Sequence, residues 1–143
     1  MPDYQTLSEF RYQLRRFIHF SEVHALAAGV EPQQHQLLLA VKGAATPDQA
    51  AIQWLAERLQ LRHHSVVGLV DRLETRGLVK RRKDPDDHRR VIVDLTPAGD
   101  AILERLSQFH EEELREMAPA LLAVLSAIAG TPEFPLEEDG LSA

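Results

Sequence analysis

The stretch between Gln53 and Gly99 constrains the fold of this 143-residue chain more than any other feature. It begins with two short segments whose apolar residues recur at three- and four-residue steps, which predicts two amphipathic helices joined by a tight turn. A basic segment with alternating apolar residues follows and ends at Leu95-Thr96-Pro97-Ala98-Gly99, which predicts a two-stranded hairpin. This order is typical of a winged helix-turn-helix, a module that reads DNA.

Positive charge is concentrated in the same stretch. Residues 62–90 contain nine Lys and Arg against five Asp and Glu, for a net charge of +4. The rest of the chain carries −10, so the whole chain carries −6 at pH 7. A basic island attracts phosphate at one face, so the whole-chain pI of 5.6 does not exclude nucleic acid as a partner.

Length and composition exclude several other classes of protein. The chain suits one domain, and it leaves no room for a second, catalytic one. With no cysteine it has no disulfide, thiolate metal site or thiol redox sensor. It contains no nucleophile–base set, Gly-rich phosphate loop or metal-ligand spacing, so we expect no enzyme activity, no cofactor and no metal. The amino terminus lacks a signal-peptide pattern and no apolar run approaches the ~18 residues of a membrane span, so we expect a soluble cytoplasmic protein without a membrane partner.

The amino-terminal third predicts two helices. Thr6-Leu7-Ser8-Glu9 is a capping-box pattern, and helical spacing of apolar residues continues from it, which predicts a first helix over residues 5–29. Pro32 occupies the favoured first position of a second helix, which Gly43 ends. Residues 46–52 fit either a helix or a strand, and we predict a brief strand at Ala51-Ile52 before a third helix that starts at Gln53.

Residues 61–76 are the candidate recognition helix. Four residues share one face at helical spacing and are predicted core: Val66, Leu69, Val70 and Leu73. The opposite face is predicted to point outward, and its residues are His63, His64, Val67, Gly68, Asp71 and Arg72. Residues 78–83 and 90–95 are predicted strands, and the Asp84, Asp86 and Asp87 carboxylates between them are predicted turn formers and ion-pair partners.

The carboxy-terminal third predicts a long helix and a short one. Thr96 is a predicted N-cap and Pro97 the first helical residue. Pro119 is predicted to break this helix, which leaves a short apolar helix over residues 120–129. Residues 130–143 hold four acidic residues and no basic one, and are predicted to form a mobile tail. The predicted helices at both ends of the chain have apolar faces, and the neighbouring sequence offers no segment that could pack against them.

The chain resembles the MarR family of bacterial transcriptional regulators. The resemblance covers residues 5 to 129, and the motifs that carry it stand in order along the chain: Leu55-Ala56-Glu57-Arg58-Leu59, then Leu69-Val70-Asp71-Arg72-Leu73-Glu74-x-x-Gly77-Leu78-Val79-x-Arg81, then Asp84-x-x-Asp87-x-Arg89, and finally Val93-x-Leu95-Thr96-x-x-Gly99. One departure is the front of the recognition helix, where the family is rich in Ser, Thr and Arg. Here it includes an outward Gly68, which offers no side chain to a base, so the family's operator sequence does not carry over.

The resemblance implies a mostly α fold with a small β-hairpin wing, in which amino- and carboxy-terminal helices join two subunits. Residues 5–29 and 98–129 would be the dimerisation helices, and residues 32–97 the winged helix-turn-helix lobe. It implies a homodimer that binds an imperfect palindrome in double-stranded DNA. It also implies repression of nearby genes, relieved by a small aromatic or anionic effector.

Site residues follow from placement and resemblance together. The predicted DNA-contacting residues are Arg62, His63, His64, Ser65, Val67, Gly68, Arg72, Arg82, Lys83, Arg89 and Arg90. Arg89 matches the family's wing arginine, which enters the minor groove, and Arg82 and Lys83 are predicted generic phosphate contacts. Asp71 matches the family acid that braces the wing arginine, and Asp87 is a second predicted brace. The predicted effector residues are Arg15, Arg16, His19, Phe20 and His35.

Two other functions remain open from the residues alone. The chain has seven histidines, but His19 and His24 are five residues apart and do not share a helix face, so the pattern argues against a metal-responsive regulator without excluding one. A winged helix that binds only protein would not need nine Lys and Arg in its helix and wing. DNA-binding regulation is therefore the function that the sequence favours.

Overall fold

The computed structural model of the chain describes residues 1–130 and contains five helices and one hairpin. The elements in order are α1 (Tyr4–Ala27), α2 (Pro32–Lys42), a 3-10 turn (Pro47–Gln49), α3 (Ile52–Leu59), α4 (His63–Thr75), β1 (Val79–Lys83), β2 (Val91–Leu95) and α5 (Pro97–Ala129). The predicted fold class, mostly α with a β-hairpin wing, is confirmed. No helix within residues 1–130 has both the length and the apolar character needed to cross a membrane. The predicted tail lies, from residue 131 onward, outside the described residues.

The first helix begins earlier than predicted because Asp3, and not Thr6, caps it. The Asp3 carboxylate accepts hydrogen bonds from the backbone amide of Thr6 at 3.1 Å and from its hydroxyl at 2.6 Å. These bonds hold the pKa of Asp3 below its ordinary value. Glu9, the predicted partner in a capping box, instead accepts from the Gln13 side chain at 2.9 Å. The helix ends at Ala27, just before Gly29, whose φ of +84° suits glycine.

The predicted strand at Ala51-Ile52 is correct only for Ala51. Ala51 forms an isolated antiparallel bridge with Ile92 of β2, and the amide of Val93 donates to the Ala50 carbonyl at 3.0 Å. Ala51 is extended because it is the N-cap of α3, and Ile52 already begins that helix. Ala51 therefore forms a single bridge with the hairpin and not a third strand.

One hydrophobic core joins the helix-turn-helix, the hairpin and the two long helices. The four core residues predicted for the recognition helix are all buried. They pack with residues of every other helix and of both strands, among them Ala25, Leu37, Leu38, Leu55, Val79, Val93, Leu103 and Leu106. The hairpin pairs in the register Val79↔Leu95 to Lys83↔Val91. The core thus fixes where the recognition helix and the base of the wing lie.

A close backbone approach fixes the start of α5. The Thr96 hydroxyl donates to the Gly77 carbonyl at 2.6 Å and accepts from the Gly99 amide at 3.1 Å, which confirms Thr96 as the N-cap. A Cβ at Gly99 would lie 2.1 Å from the carbonyl oxygen of Leu78. Only glycine fits there, because any larger residue would push α5 away from the start of β1.

The fifth helix is continuous, so the predicted break at Pro119 is wrong. α5 runs for 33 residues from Pro97 to Ala129 and contains Pro119 in its interior. Proline removes only one hydrogen bond of the helix, the one that its missing N–H would donate to the Arg115 carbonyl. Met117 and Val124 are buried on either side of the proline, so both parts of the helix are anchored by packing. The predicted short helix over residues 120–129 is the last part of α5.

Candidate nucleic-acid interface

The recognition helix α4 presents a polar face away from the core. His63, His64 and Ser65 are exposed in its first turn, together with the preceding Arg62. No side chain caps the helix, so the backbone amides of His63 and His64 are not bound by an N-cap side chain. An uncapped, exposed helix N-terminus attracts phosphate through its N–H groups and its dipole.

An arginine one turn away lies over Gly68 on this face. Gly68 and Val67 are half-buried, whereas Arg72 is exposed. A Cβ built on Gly68 would lie 3.5 Å from a guanidinium nitrogen of Arg72, which is an ordinary contact distance. The guanidinium therefore lies across Gly68 in the middle of the outward face, where it can reach DNA.

The wing turn is organised around the buried carboxylate of Asp84. This carboxylate accepts from the backbone amides of Asp86 at 2.8 Å and Asp87 at 3.4 Å, and it forms an ion pair with Arg90. The Asp86 amide and the Arg90 guanidinium hold the pKa of Asp84 below its ordinary value. The predicted role of these aspartates as turn formers is confirmed for Asp84. Arg90 braces the turn from within.

Arg89 is an exposed cation at the tip of the wing. Its side chain is 93% exposed, and its only ion pair within residues 1–130 is with Asp87, at 3.4 Å. The Asp87 carboxylate also accepts from the backbone amide of Arg89 at 3.1 Å. Asp87 thus holds the backbone at the tip while the guanidinium projects into solvent.

The predicted ion pair between Asp71 and Arg89 is wrong, because Asp71 pairs with Arg81. Arg81 lies on the face of β1 that packs against α4, and it forms ion pairs with Asp71 and with Glu74, the latter at 3.0 Å. Arg89 lies at the far end of the hairpin, where its guanidinium donates to Asp87 at 3.4 Å. The motif that contains Arg81 did not indicate this role, although strand alternation places the side chain of Arg81 on the face of β1 opposite that of its neighbour Arg82.

The prediction that Arg82 is a generic phosphate contact does not fit its surroundings. Its guanidinium donates to Asp94 at 2.6 Å and to Asp48 at 2.7 Å, and these two carboxylates raise the pKa of Arg82 above its ordinary value. Arg90 adds a bond of 3.4 Å to the carbonyl of Asp48. Arg82 therefore joins the wing to the 3-10 turn, and both of its carboxylate partners were missed from the sequence, where Asp48 is 34 residues away.

An open groove separates the recognition helix from the wing. It has a volume of about 310 Å³ and is lined by residues of α3, α4 and the hairpin, including Gln53, His63, Val67, Arg81, Arg89 and Arg90. Three nearby cations form no ion pair within the described part of the chain: Arg62, Arg72 and Lys83. The surface that the helix and wing share is therefore rich in cations that have no internal anion.

A cluster of aromatic rings and histidines lies away from this surface, between α1, α2 and α5. His35 and His110 are buried with ring centroids 4.8 Å apart, and Phe17, Phe20 and His24 of α1 lie around His110. His19, a predicted effector residue, is exposed and is not part of this cluster. Arg15 and Arg16 are also exposed. Of the predicted effector residues, the fold brings only Phe20 and His35 into this cluster.

His110 leaves one nitrogen without a partner inside the cluster. Its Nδ1 lies 2.5 Å from the Leu106 carbonyl and donates to it, so Nε2 is the acceptor whenever the ring is in its neutral form. Nε2 is buried and has no hydrogen-bond partner within residues 1–130. No group of three His, Asp or Glu side chains in that range is arranged to hold a metal ion.

Acidification is expected to destabilise the fold through His35. Burial, together with the charge of nearby His110, lowers the pKa of His35 to about 4, from an ordinary value of 6.5. The unfolded chain therefore takes up a proton at this residue as the pH falls below 6.5, whereas the folded chain does not until the pH nears 4. The contribution of His35 to the free energy of unfolding is complete above pH 6.5, and about 2 kcal/mol of it is lost by pH 5.

Urea unfolding at pH 7 and pH 5, at one protein concentration, measures this effect. The variant His35→Gln should lose less stability between the two pH values than the natural chain does. His88→Gln, an exposed histidine of the wing, is the matched control and should follow the natural chain. Equal losses in all three proteins would show that His35 does not carry the effect.

Comparisons with known proteins place this geometry among transcriptional regulators. Residues 28–90 match a sequence model of the MarR family. The HTH-type transcriptional regulator FarR of Neisseria gonorrhoeae is 33% identical over 98 residues, which are 68% of this chain and 62% of FarR. The matches to three further curated regulators span 47%, 57% and 59% of their lengths, so the chain corresponds to roughly half of these relatives.

Solved structures share the whole architecture. The transcriptional repressor CouR, bound to a 23-mer DNA duplex, is 31% identical and superposes with a TM-score of 0.64 over 83% of this chain and 87% of CouR. CouR from Rhodococcus jostii RHA1, bound to p-coumaroyl-CoA, superposes with a TM-score of 0.62 over the same shares at 22% identity. The arrangement of recognition helix, wing and long terminal helices is thus common to both.

Proposed function

This chain belongs to the MarR family, and from that premise we propose that it is a homodimeric, sequence-specific DNA-binding regulator of transcription, most simply a repressor that a small effector releases. One observation carries the DNA-binding part of the proposal. The outward face of α4 and the tip of the wing border one groove, and both carry cations without strong internal partners. The repressor CouR, which shares the fold, was solved on a DNA duplex.

Each element of the surface has a distinct role in this proposal. Ser65, His63 and His64 of the first turn, with Val67 and Arg72 behind them, face the base edges of the major groove. Arg62 and Lys83 bind phosphates, and Arg89 enters the adjacent minor groove. Gly68 lies beneath the Arg72 guanidinium and offers no side chain of its own, whereas Arg82 and Arg90 hold the shape of the wing.

The dimer is proposed from apolar surface on the two long helices. α1 and α5 expose large hydrophobic side chains along their length: Tyr4, Leu7, Ile18, Val23 and Leu26 on α1, and Phe109, Leu114, Leu122, Leu125 and Ile128 on α5. Apolar patches of this extent mark interaction sites. A second copy of the chain covers both helices at once, since a two-fold axis presents the same patch from each subunit.

Selection of bound genomic fragments tests the proposed function. The protein is mixed with fragmented DNA at ~150 mM salt, and the bound fragments are sequenced. We expect enrichment of a few promoter fragments that contain an imperfect palindrome with half-sites about 10 bp apart. Uniform, weak binding of all fragments would contradict sequence-specific regulation, and no binding at all would favour a module that contacts only protein.

The effector is proposed to bind at the aromatic cluster between α1, α2 and α5. The cluster offers flat rings and a buried acceptor, His110 Nε2, that lacks a partner within the described chain. An aromatic ligand with a hydroxyl group matches both features, because the ring stacks and the hydroxyl donates. The exposed Arg15 and Arg16 lie on the same helix and suit an anionic group. CouR, solved with p-coumaroyl-CoA, is a protein of this fold that binds such a ligand.

A panel of phenolic acids tests the effector. One member of the panel should raise the unfolding temperature of the protein, because a ligand that binds the folded chain stabilises it. The same compound should weaken DNA binding, because an effector releases DNA only if it binds more tightly to the form of the protein that does not fit DNA. In His110→Phe, which keeps the ring and removes the acceptor, both responses should be reduced at least tenfold in apparent affinity. His88→Gln should respond like the natural chain. A panel with no response, or an unchanged response in His110→Phe, would contradict this site.

A further inference from the structure

The guanidinium of Arg81 joins the two elements that the proposed function requires to act together. It donates to Glu74 at 3.0 Å, to the carbonyl of Val67 at 3.3 Å and to the Asp71 carboxylate. The backbone amide of Arg81 donates to the second oxygen of Glu74, also at 3.0 Å. One residue of β1 is thus bound to three consecutive turns of the recognition helix.

These bonds determine the angle between helix and wing. Arg76 to Leu78 is the only covalent link between α4 and β1, and it contains Gly77, which has a positive φ. Besides this link the wing is held by its base in the core, by the Ala51 bridge and by the Arg82 contact with the 3-10 turn, and none of these joins it to α4 between base and tip. Without the Arg81 bonds the wing could therefore tilt against α4, and the tip at Arg89 would move most. The Arg81 bonds lie between the base and the tip, so they set the position of Arg89 relative to the base-reading face.

Arg81 also neutralises an acid on the DNA-facing side. Asp71 lies on the outward side of α4, with its side chain 61% exposed. An unpaired carboxylate there would repel phosphate across a short, partly desolvated distance. The side chain of Arg81 is only 26% exposed, and its two terminal nitrogens are bound to protein oxygens, so it is not available as a direct phosphate contact.

From this geometry we infer that Arg81 is a positioning residue for sequence-specific binding, which fixes the wing against the recognition helix and masks Asp71 without touching DNA itself. The inference rests on the proposed function. It separates two classes of wing arginine: Arg89 projects toward DNA, whereas Arg81 acts through the protein. The two classes respond differently to salt, because only a lost phosphate contact lowers the number of counterions released.

Binding measurements on Arg81→Gln test the inference, with the selected operator and a random duplex as the two ligands. Operator affinity should fall at least tenfold, affinity for the random duplex should change less than threefold, and the log–log salt slope should stay within about half a unit. The double variant Arg81→Gln, Asp71→Asn should bind the operator at least threefold more tightly than Arg81→Gln does, because it lacks the carboxylate that Arg81→Gln leaves unpaired. Lys80→Gln removes the same charge from the same strand but no ion pair, and it should leave the ratio of the two affinities within twofold.

A measurement without DNA keeps this test separate from the proposed function. Amide hydrogen exchange in the wing should be at least tenfold faster in Arg81→Gln, while amides of α2 stay unchanged. Arg81→Lys, which keeps the charge, should show intermediate exchange and serves if Arg81→Gln is unstable. A salt slope that falls by about one unit, with equal losses on both duplexes, would show that Arg81 is a phosphate contact. Unchanged exchange and unchanged operator affinity would overturn the inference, whereas a natural chain that binds no DNA overturns only the proposed function.

Discussion

Replacing Arg89 with alanine is expected to weaken operator binding at least tenfold while the fold and the dimer stay intact. The side chain is 93% exposed and its ion pair with Asp87 is long at 3.4 Å, so its loss costs the fold little. In the proposed complex the same side chain enters the minor groove from each subunit, and each well-placed contact contributes ~1–3 kcal/mol. Titration of the operator at ~150 mM salt measures the loss.

Two further variants test whether this loss of affinity is specific to Arg89. Arg105→Ala removes an exposed arginine from α5, outside the helix and wing, and should leave operator affinity within twofold. Lys83→Ala should weaken all DNA sequences alike and lower the log–log salt slope by about one unit. Arg89→Ala with unchanged operator affinity and an intact dimer would show that the wing does not contact DNA.

Introducing charge into the exposed apolar face of α5 is expected to dissociate the dimer and to reduce operator affinity at least a hundredfold. Leu122 is 59% exposed and Ile128 is 53% exposed, so glutamate at both positions costs the isolated chain little. In a dimer both side chains would be buried, and four unpaired carboxylates would enter the interface. Loss of the second half-site removes a gain of ~10²–10⁴ in avidity.

Sedimentation at micromolar protein, followed by operator titration, measures both parts of this prediction. The double variant Gln33→Glu with Gln108→Glu adds the same charge at two exposed polar positions, and it should remain dimeric and bind normally. A Leu122→Glu, Ile128→Glu protein that sediments and binds like the natural chain would show that this face does not hold two subunits together. A natural chain that is monomeric at the same concentration would contradict the dimer directly.

Periodicity and short-range signals were enough to predict the helices, the hairpin and the core of the recognition helix. One face of the recognition helix contains the same four apolar residues wherever the helix begins or ends, and all four are buried: Val66, Leu69, Val70 and Leu73. Thr96 with Pro97 marks the start of α5 by local chemistry alone. The break at Pro119 was wrong because burial of Met117 and Val124 depends on a distant element, which opposes the local preference of proline.

The contacts among charged residues of the wing could be predicted only in part. Asp84 pairs with Arg90, six residues away, and Asp87 pairs with Arg89, two residues away, and such turns follow from composition. The Arg82 pair with Asp48 and the Arg81 pair with Asp71 join residues that only the folded chain brings together. The resemblance predicted Arg89 as the partner of Asp71. This was wrong because the alternation of side chains along β1 places Arg81 nearer to Asp71.

The spacing of the two half-sites tests the central claim most directly. The claim is that two recognition helices, held by a two-fold dimer, read successive major grooves while two wings enter the flanking minor grooves. The affinity of the natural chain is measured for its selected operator and for the same operator with 5 bp inserted between the half-sites, which rotates one half-site to the opposite face of the duplex. We predict a loss of at least ~100-fold on insertion, because only one half-site can then be bound. Equal affinity for both duplexes would contradict the account.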